Sequence, residues 1–453
     1  MEELSVTRRF AAYAVEHVLS AEEYATYLPY FKAMLLDWMA TVAVGREEEC
    51  CKLVQSLVDQ RGSAGESAVL LARKRMSSPD AALLNTVAGH AVDYDDVHET
   101  DGLHLNSPIL SAVFAVADET GATLGDAFEA ATVGMDVTNA VCRLLTRGHT
   151  RRNWHTTATL SVFGAAAAAG RLLGLNELQM RCAFGVAASC SAGLLANLGT
   201  MTKPLQVGFA AQRGVEAAIL AGSGFTAHRS IFDSEYPDMV SDRVSREEGL
   251  AFLEKGGGAI AHLALKRFPC GVPTHANIMN MLKLREEHGF GPDEIEEIRV
   301  GLSPFTMASG CGPLMSRLQL DYGAQGKFSV PFVVAAAARF GKVDSRTFTD
   351  GNVRDPGIVS LMSRVKVSVD EALVSTDAHM TVRLRNGQSL YAVTKNVRTG
   401  ETLEDKKAIA AGKFEAEHGR LWTEAEALRL RDTVARMPLE DKARAFTDQL
   451  IGQ

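Results

Sequence analysis

Two lysines stand just ahead of prolines, in the motifs Thr202-Lys203-Pro204-Leu205 and Lys266-Arg267-Phe268-Pro269. A residue before proline is steered out of the α region, and proline suits the first turn of a new helix. Lys203 is therefore expected at the mouth of a small-residue helix that runs from Pro204 to about Ala221. A lysine beside the free N–H groups of a helix start makes a site for a carboxylate or phosphate. The chain carries a net charge of -8, so this positive charge is local. It points to a small anionic ligand and not to a basic face for nucleic acid. Lys266 and Arg267 fall where the pattern of the chain changes, a place where ligand sites concentrate. A surface linker would carry the same spacing.

The densest polar cluster contains His90, Asp93, Asp95, Asp96, His98, Glu99, Asp101 and His104. His90 and Asp93 are three apart and are expected on one helix face. A carboxylate orienting a histidine acid or base is one reading. A divalent-metal site is a second, because His and Asp are common ligands. A solvated acidic loop with a helix cap is a third. Another cluster, Arg151-Arg152-Asn153-Trp154-His155-Thr156-Thr157, precedes a small-residue helix that Thr156 or Thr157 can cap. His155 then stands at a helix start near two arginines, which disfavours its charged form. The carboxylates before His104 favour its charged form. Cys270 has no local base, and His275 sits in a helix first turn, so both read as structural. No GxGxxG after a strand, Walker loop, HExxH or GxSxG occurs. Nucleotide-dependent and serine-hydrolase mechanisms therefore lack support.

The elements that must position these groups are mostly helical. Residues 30–44, 81–96, 108–120, 124–145, 157–173, 177–195 and 204–221 read as helices. The last four are rich in Ala, Gly and Ser, which lets axes approach closely in a tight bundle. Gly256-Gly257-Gly258 marks a hinge or tight turn. Beyond it, 297–302 and 363–369 are rich in β-branched residues. Residues 380–384 and 389–393 alternate around Asn386-Gly387, a hairpin signal. Helices at 274–288 and 325–340 are interleaved, and 404–450 is helical and charged, as if returning to the first domain. The length of 453 residues allows two or three domains. Seven cysteines, odd in number and without a CxxC pair, fit a reducing cytosol and argue against disulfides and structural zinc. Glu2, Glu3, Arg8 and Arg9 do not make a signal peptide, and no apolar run reaches membrane-spanning length.

Taken in order, these motifs resemble the MmgE/PrpD family, which contains 2-methylcitrate dehydratases, cis-aconitate decarboxylases and iminodisuccinate epimerases. The residues that carry the resemblance begin with Asn85-x-x-x-Gly89-His90-x-x-Asp93-Tyr94-Asp95-Asp96. Trp154-His155-Thr156-Thr157 before Gly164-Ala165-Ala166 follows, then Gly174 after Leu172-Leu173. The two lysine motifs and Phe328-Ser329-Val330-Pro331 complete it, over residues 5–450. The resemblance implies a mainly α fold. Residues 1–262 and 402–453 would form a large all-helical domain and 263–401 a smaller α+β lid domain, with the active site between them. It implies a homodimer with no metal and no organic cofactor, acting on a small anionic polycarboxylate; cysteine usage, charge and hydropathy add the expectation of a cytoplasmic location without nucleic-acid or membrane partners.

The family's catalytic positions fall on Asp93, His104, His155, Lys203 and Lys266, with Arg267, Thr156 and Gln206 as substrate-binding positions. The lysines are expected to be exposed to the cleft. His155 is the expected neutral base and His104 the proton donor. Val97 replaces a common threonine, Gln206 a common histidine, and Leu105 follows His104 where a proline is usual. Gly271 stands where the decarboxylases have a histidine, and Met307 near their tyrosine. These departures weaken a decarboxylase reading most. The expected reaction is dehydration of a 2-methylcitrate-like polycarboxylate by proton abstraction next to a carboxylate. Epimerisation or isomerisation of a dicarboxylate such as iminodisuccinate is the alternative, and cis-aconitate-type decarboxylation a further one. Outside this class stand a metal-dependent hydrolase using the His90–His104 cluster and a non-catalytic helical interaction protein.

Overall fold

The computed structural model describes residues 5–309, 311–397, 401–416 and 421–451. Glu2, Glu3 and positions 417–420 of the expected C-terminal helical run lie outside them. The first part of the chain folds as helices Ala21–Gly45, Ser78–Ala91, Asn106–Thr120, Leu124–Arg151, Thr156–Leu172, Glu177–Ser189 and Thr202–Gly222. Several ends differ from the sequence reading for local reasons. A capping box of Ser20 and Glu23 starts the first of these well before Pro29, which the helix contains. The helix expected over 81–96 stops at Ala91, because Asp93 adopts φ 57. The helix after Leu124 continues to Arg151 across a kink at Thr146, with φ 53 and ψ -170.

The small residues set the helix spacing. A Cβ on Gly164 would lie 1.9 Å from Thr138 Oγ1 and 2.3 Å from the Gly134 carbonyl. No side chain fits between those two axes. One apolar core therefore joins these helices, and the C-terminal residues Phe414, Leu430, Val434, Phe446 and Leu450 pack into it. Gly256, Gly257 and Gly258 all have positive φ, 92, 70 and 90, and make a tight turn. No helix among the described residues is long and apolar enough to cross a membrane.

A second apolar core lies within residues 270–392. Its sheet has the spatial order Val365–Val369, Ile295–Leu302, Ala378–Leu384, Ser389–Thr394. The first pair is parallel and the others antiparallel. The hairpin pairs Arg383 with Ser389 around Gly387, whose φ of 90 requires glycine or a near equivalent. Helices His275–His288 and Val330–Phe340 belong to this core. The second begins at Ser329, whose side chain caps it ahead of Pro331, and not at Gln325 as expected. A two-residue antiparallel ladder, Val97 with Ala264 and His98 with Leu263, ties the acidic segment to the strand that precedes Lys266.

Candidate active site

The site forms where the Ser78–Ala91 helix ends. The turn after Ala91 carries Asp93 off the helix, so the expected His90–Asp93 face does not exist. His90 Nδ1 meets Asp95 Oδ2 at 2.7 Å, and Ser107 Oγ donates to the same oxygen at 3.2 Å. Asp93 itself sits in the left-handed region, which aspartate tolerates at a cost and which recurs at functional sites. Asp96 accepts the N–H groups of Leu105 and Asn106, each at 2.9 Å, and so closes the start of the Asn106–Thr120 helix.

Lysines from three distant segments donate to carbonyls of this loop. Lys327 reaches Ala91 at 3.1 Å, Lys266 reaches Asp93 at 3.1 Å and Lys413 reaches Tyr94 at 2.5 Å. Lys413 also pairs with buried Asp37 and lies 4.2 Å from the centre of the Tyr94 ring.

Lys203 and Lys266 both reach Asp93 Oδ1, each at 2.7 Å. The Val97–Ala264 ladder brings Lys266 there, by running the two segments antiparallel past each other. Lys203 lies inside the first turn of the Thr202–Gly222 helix and not ahead of it; Pro204 follows it in that turn, where a missing N–H breaks no helical bond. Neither lysine is exposed to a cleft as expected. Lys203 is 6% and Lys266 2% exposed, because Asp93 supplies the counter-charge that makes their burial tolerable. Burial would push the Asp93 carboxyl up, but Lys203 and Lys266 outweigh it and hold it well below the usual range. Burial likewise opposes the charge on Lys266, and Asp93 and Asp95 raise its pKa above the ordinary value. Asp96, buried and next to Asp95, is pushed up to about 8.

His104 and His155 flank this pair, with the His90 ring 5.0 Å from the first and 6.2 Å from the second. His104 Nδ1 lies 2.5 Å from the Asp96 carbonyl, which can only accept, so Nδ1 carries the proton. Its Nε2 is then a lone pair. For His155 the roles are opposite. Gln206 Oε1 accepts the Leu194 N–H at 3.0 Å, which orients the amide so that its NH2 donates to His155 Nδ1 at 2.7 Å. The proton of His155 is then on Nε2.

Burial, helped by Lys203, holds the His155 pKa well below its ordinary value. The expected direction is right and its cause is not, since Arg151 pairs with Asp242 and Arg152 donates to the Met239 carbonyl. The expectation of a charged His104 is overturned. Burial and Lys266 outweigh Asp95 and hold His104 well below the ordinary value.

His155 itself is the N-cap of the Thr156–Leu172 helix, without a side-chain cap bond. Thr157 is not the cap; its Oγ1 accepts the His104 N–H at 3.2 Å. Thr156 turns to Thr150 Oγ1 at 3.0 Å, and Arg267 is half-exposed with Glu401 at 3.9 Å, so neither joins the cluster. Gln206 joins it through His155. Lys327, Lys413 and Asp37 were not singled out by sequence, and His90 and Asp95 were named only as members of the polar cluster, without their pairing to each other. Asp37, a lone carboxylate in the apolar 30–44 stretch, is the one whose need for a buried partner was visible.

His90, Asp95 and His104 bring ligand-type atoms within 4.8 Å of one another. The Lys266 ammonium stands 4.0 Å from Asp95 Oδ1, however, and repels a cation there. Asp93 Oδ2, Asp95 Oδ1 and His90 Nε2 are buried without a hydrogen-bond partner among the described residues. The arrangement holds two ammonium groups on one carboxylate oxygen beside one imidazole lone pair and one imidazole N–H. It can stabilise a developing dianion and move a proton at neutral pH.

The chain matches the MmgE/PrpD N-terminal domain over residues 8–250 and the MmgE/PrpD C-terminal domain over residues 268–439. It is similar to the cis-aconitate decarboxylase-like protein oryM of Aspergillus oryzae, 26% identical over 429 residues, covering 86% of this chain and 83% of that protein. Similarity to the cis-aconitate decarboxylase of Homo sapiens is 24% over 419 residues, covering 84% and 83%. Cis-aconitate decarboxylase of Aspergillus terreus is 32% identical over 213 residues, covering 45% and 43%.

Proposed function

The chain belongs to the MmgE/PrpD family, and on that premise we propose a cofactor-free lyase that dehydrates a small polycarboxylate of the 2-methylcitrate kind. Family membership and the named relatives support the lyase class. One observation carries the finer reading: Lys203 and Lys266 converge on Asp93 Oδ1 at 2.7 Å beside two neutral imidazoles. A carbanion next to a carboxylate resembles a dianionic enediolate, and two fixed ammonium groups in a dry site stabilise it. His104 Nε2 takes the α-proton. The electron pair of that C–H bond passes first into the enediolate and then forms the new C=C bond as the β C–O bond breaks. The Nε2–H of His155 hydrogen-bonds the departing hydroxyl, and the proton held by His104 balances it to water. These roles reverse those expected from sequence, and the tautomers support the reversal. Asp93 holds the lysines until a substrate carboxylate shares them.

Decarboxylation is the second reading, favoured by the names of the relatives. Against it stands Gly271, where the resemblance places a histidine in decarboxylases. A Cβ there would lie 2.9 Å from the Phe328 ring, which fills that space. NMR of citrate, 2-methylcitrate, cis-aconitate and iminodisuccinate with the protein in D2O separates the reactions. Loss of water supports dehydration. Release of carbon dioxide supports the second reading, and α-exchange with inversion alone would make the protein an epimerase. No exchange with any of the four would sink the proposal.

The proposal includes a homodimer without metal, in a reducing compartment. The seven cysteines are free thiols, which fits that compartment. Chelator treatment is expected to leave activity intact; a loss restored by added metal would overturn that part. Sedimentation velocity is expected to give twice the chain mass of 48.7 kDa.

A further inference from the structure

We propose that Lys327 is the docking cation for a third carboxylate of the substrate, so that the site selects a tricarboxylate over a dicarboxylate. This rests on the polycarboxylate reading above. Lys203, Lys266, Lys327, Lys406 and Lys413 are all buried. Four of them have a carboxylate: Asp93 for Lys203 and Lys266, Glu99 at 3.7 Å for Lys406, and Asp37 for Lys413. Among the described residues no carboxylate lies within 4.0 Å of the fifth. Lys327 is 7% exposed, and its hydrogen bond to the Ala91 carbonyl engages one of its three N–H groups. A buried ammonium left in that state is costly. An anion arriving with the substrate removes the cost.

The position of Lys327 fits this role. Ala91 lies two residues before Asp93. The Lys327 carbonyl accepts the Gly271 N–H at 3.0 Å, close along the chain to Lys266. The next residue, Phe328, sets its ring 5.9 Å from Lys203 Nζ. The backbone of Lys327 is thus tied to the segment that follows Lys266, and its side chain to the end of the helix that leads into Asp93. Burial also lowers its pKa, with the charges of Glu48 and Asp93 opposing from beyond contact range.

The test is calorimetric titration of the whole protein with citrate and with malate. Lys327→Gln keeps a donor for the Ala91 carbonyl and removes the charge; Lys327→Arg keeps the charge. The glutamine variant is expected to bind citrate about 10–100-fold more weakly, the scale of one charge-assisted hydrogen bond. Its malate affinity should move by less than about 3-fold on the same scale, and arginine should restore citrate binding. Lys327→Met gives the same comparison if the glutamine variant does not fold. Equal weakening for both ligands, or none for either, assigns Lys327 to holding the loop and overturns the inference alone. A wild-type protein that binds neither ligand removes the polycarboxylate reading, and this inference with it.

Discussion

At the scale of single residues, the chemistry depends on which nitrogen of each imidazole holds its proton. The Asp96 carbonyl and the Gln206 amide decide this, and they give His104 a lone pair and His155 an N–H. His104→Gln is therefore expected to abolish α-proton exchange in D2O, while His155→Gln retains exchange and loses the elimination. The opposite pattern would restore the assignment made from sequence. Both histidines are held well below the ordinary value of 6.5. The acid limb of kcat/KM is accordingly expected below pH 6.5, and a limb at or above it would show that the free site is not as dry as the geometry implies. Lys203→Ala and Lys266→Ala should each lower turnover by about 10²–10³, the usual cost of losing one preorganised donor. They should also lower stability, though by less than the roughly 3–5 kcal/mol of a fully broken buried pair, since Asp93 keeps its other lysine. Adding Asp93→Asn to Lys203→Ala should deepen that loss in urea unfolding, because Lys266 is then buried without the carboxylate it pairs with.

At the scale of elements, the site is one short loop held from outside its own helix. Lys327, Lys266 and Lys413 come from three separate stretches and grip the carbonyls of Ala91, Asp93 and Tyr94. That grip explains how a left-handed Asp93 persists. The helices behind it owe their spacing to glycine. Gly164→Ala places a Cβ 1.9 Å from Thr138 Oγ1 and 2.3 Å from the Gly134 carbonyl. The two axes must separate, and a destabilisation of about 1–3 kcal/mol is expected from overpacking. Denaturant unfolding of the variant measures it. A wild-type midpoint would mean the helices slide apart without cost.

At the scale of the whole molecule, the buried histidines set the response to acid. His90, His98, His104, His149, His155 and His275 all have lowered pKa values in the fold. Below the ordinary 6.5 the unfolded chain binds protons that the folded chain refuses, so stability falls as pH falls. Five carboxyls with raised values oppose this, Asp37, Asp118, Glu401, Asp96 at about 8 and Asp136 at about 7, because the fold keeps their protons. The histidines outnumber them. The melting temperature is expected to drop steadily from pH 7 to pH 5, and scanning calorimetry across that range checks it. A flat profile would place these imidazoles in contact with water.

The residue types of the site were legible in the chain, because a buried reaction at a carboxylate needs cations and neutral-range bases, and these are rare enough to stand out. Lys203, Lys266, Asp93, His104 and His155 carried that signal, and the small-residue helices and the Asn386-Gly387 hairpin carried the fold through local rules of packing and turn geometry. Pairing was not legible. His90 takes Asp95 and not Asp93 because the helix stops at Ala91, and that stop depends on lysines far away in sequence. The lysines are buried because one carboxylate serves both, and no spacing along the chain reveals that convergence. Exposure, tautomer and pKa all follow from partners supplied by distant segments, so only the tertiary structure decided them.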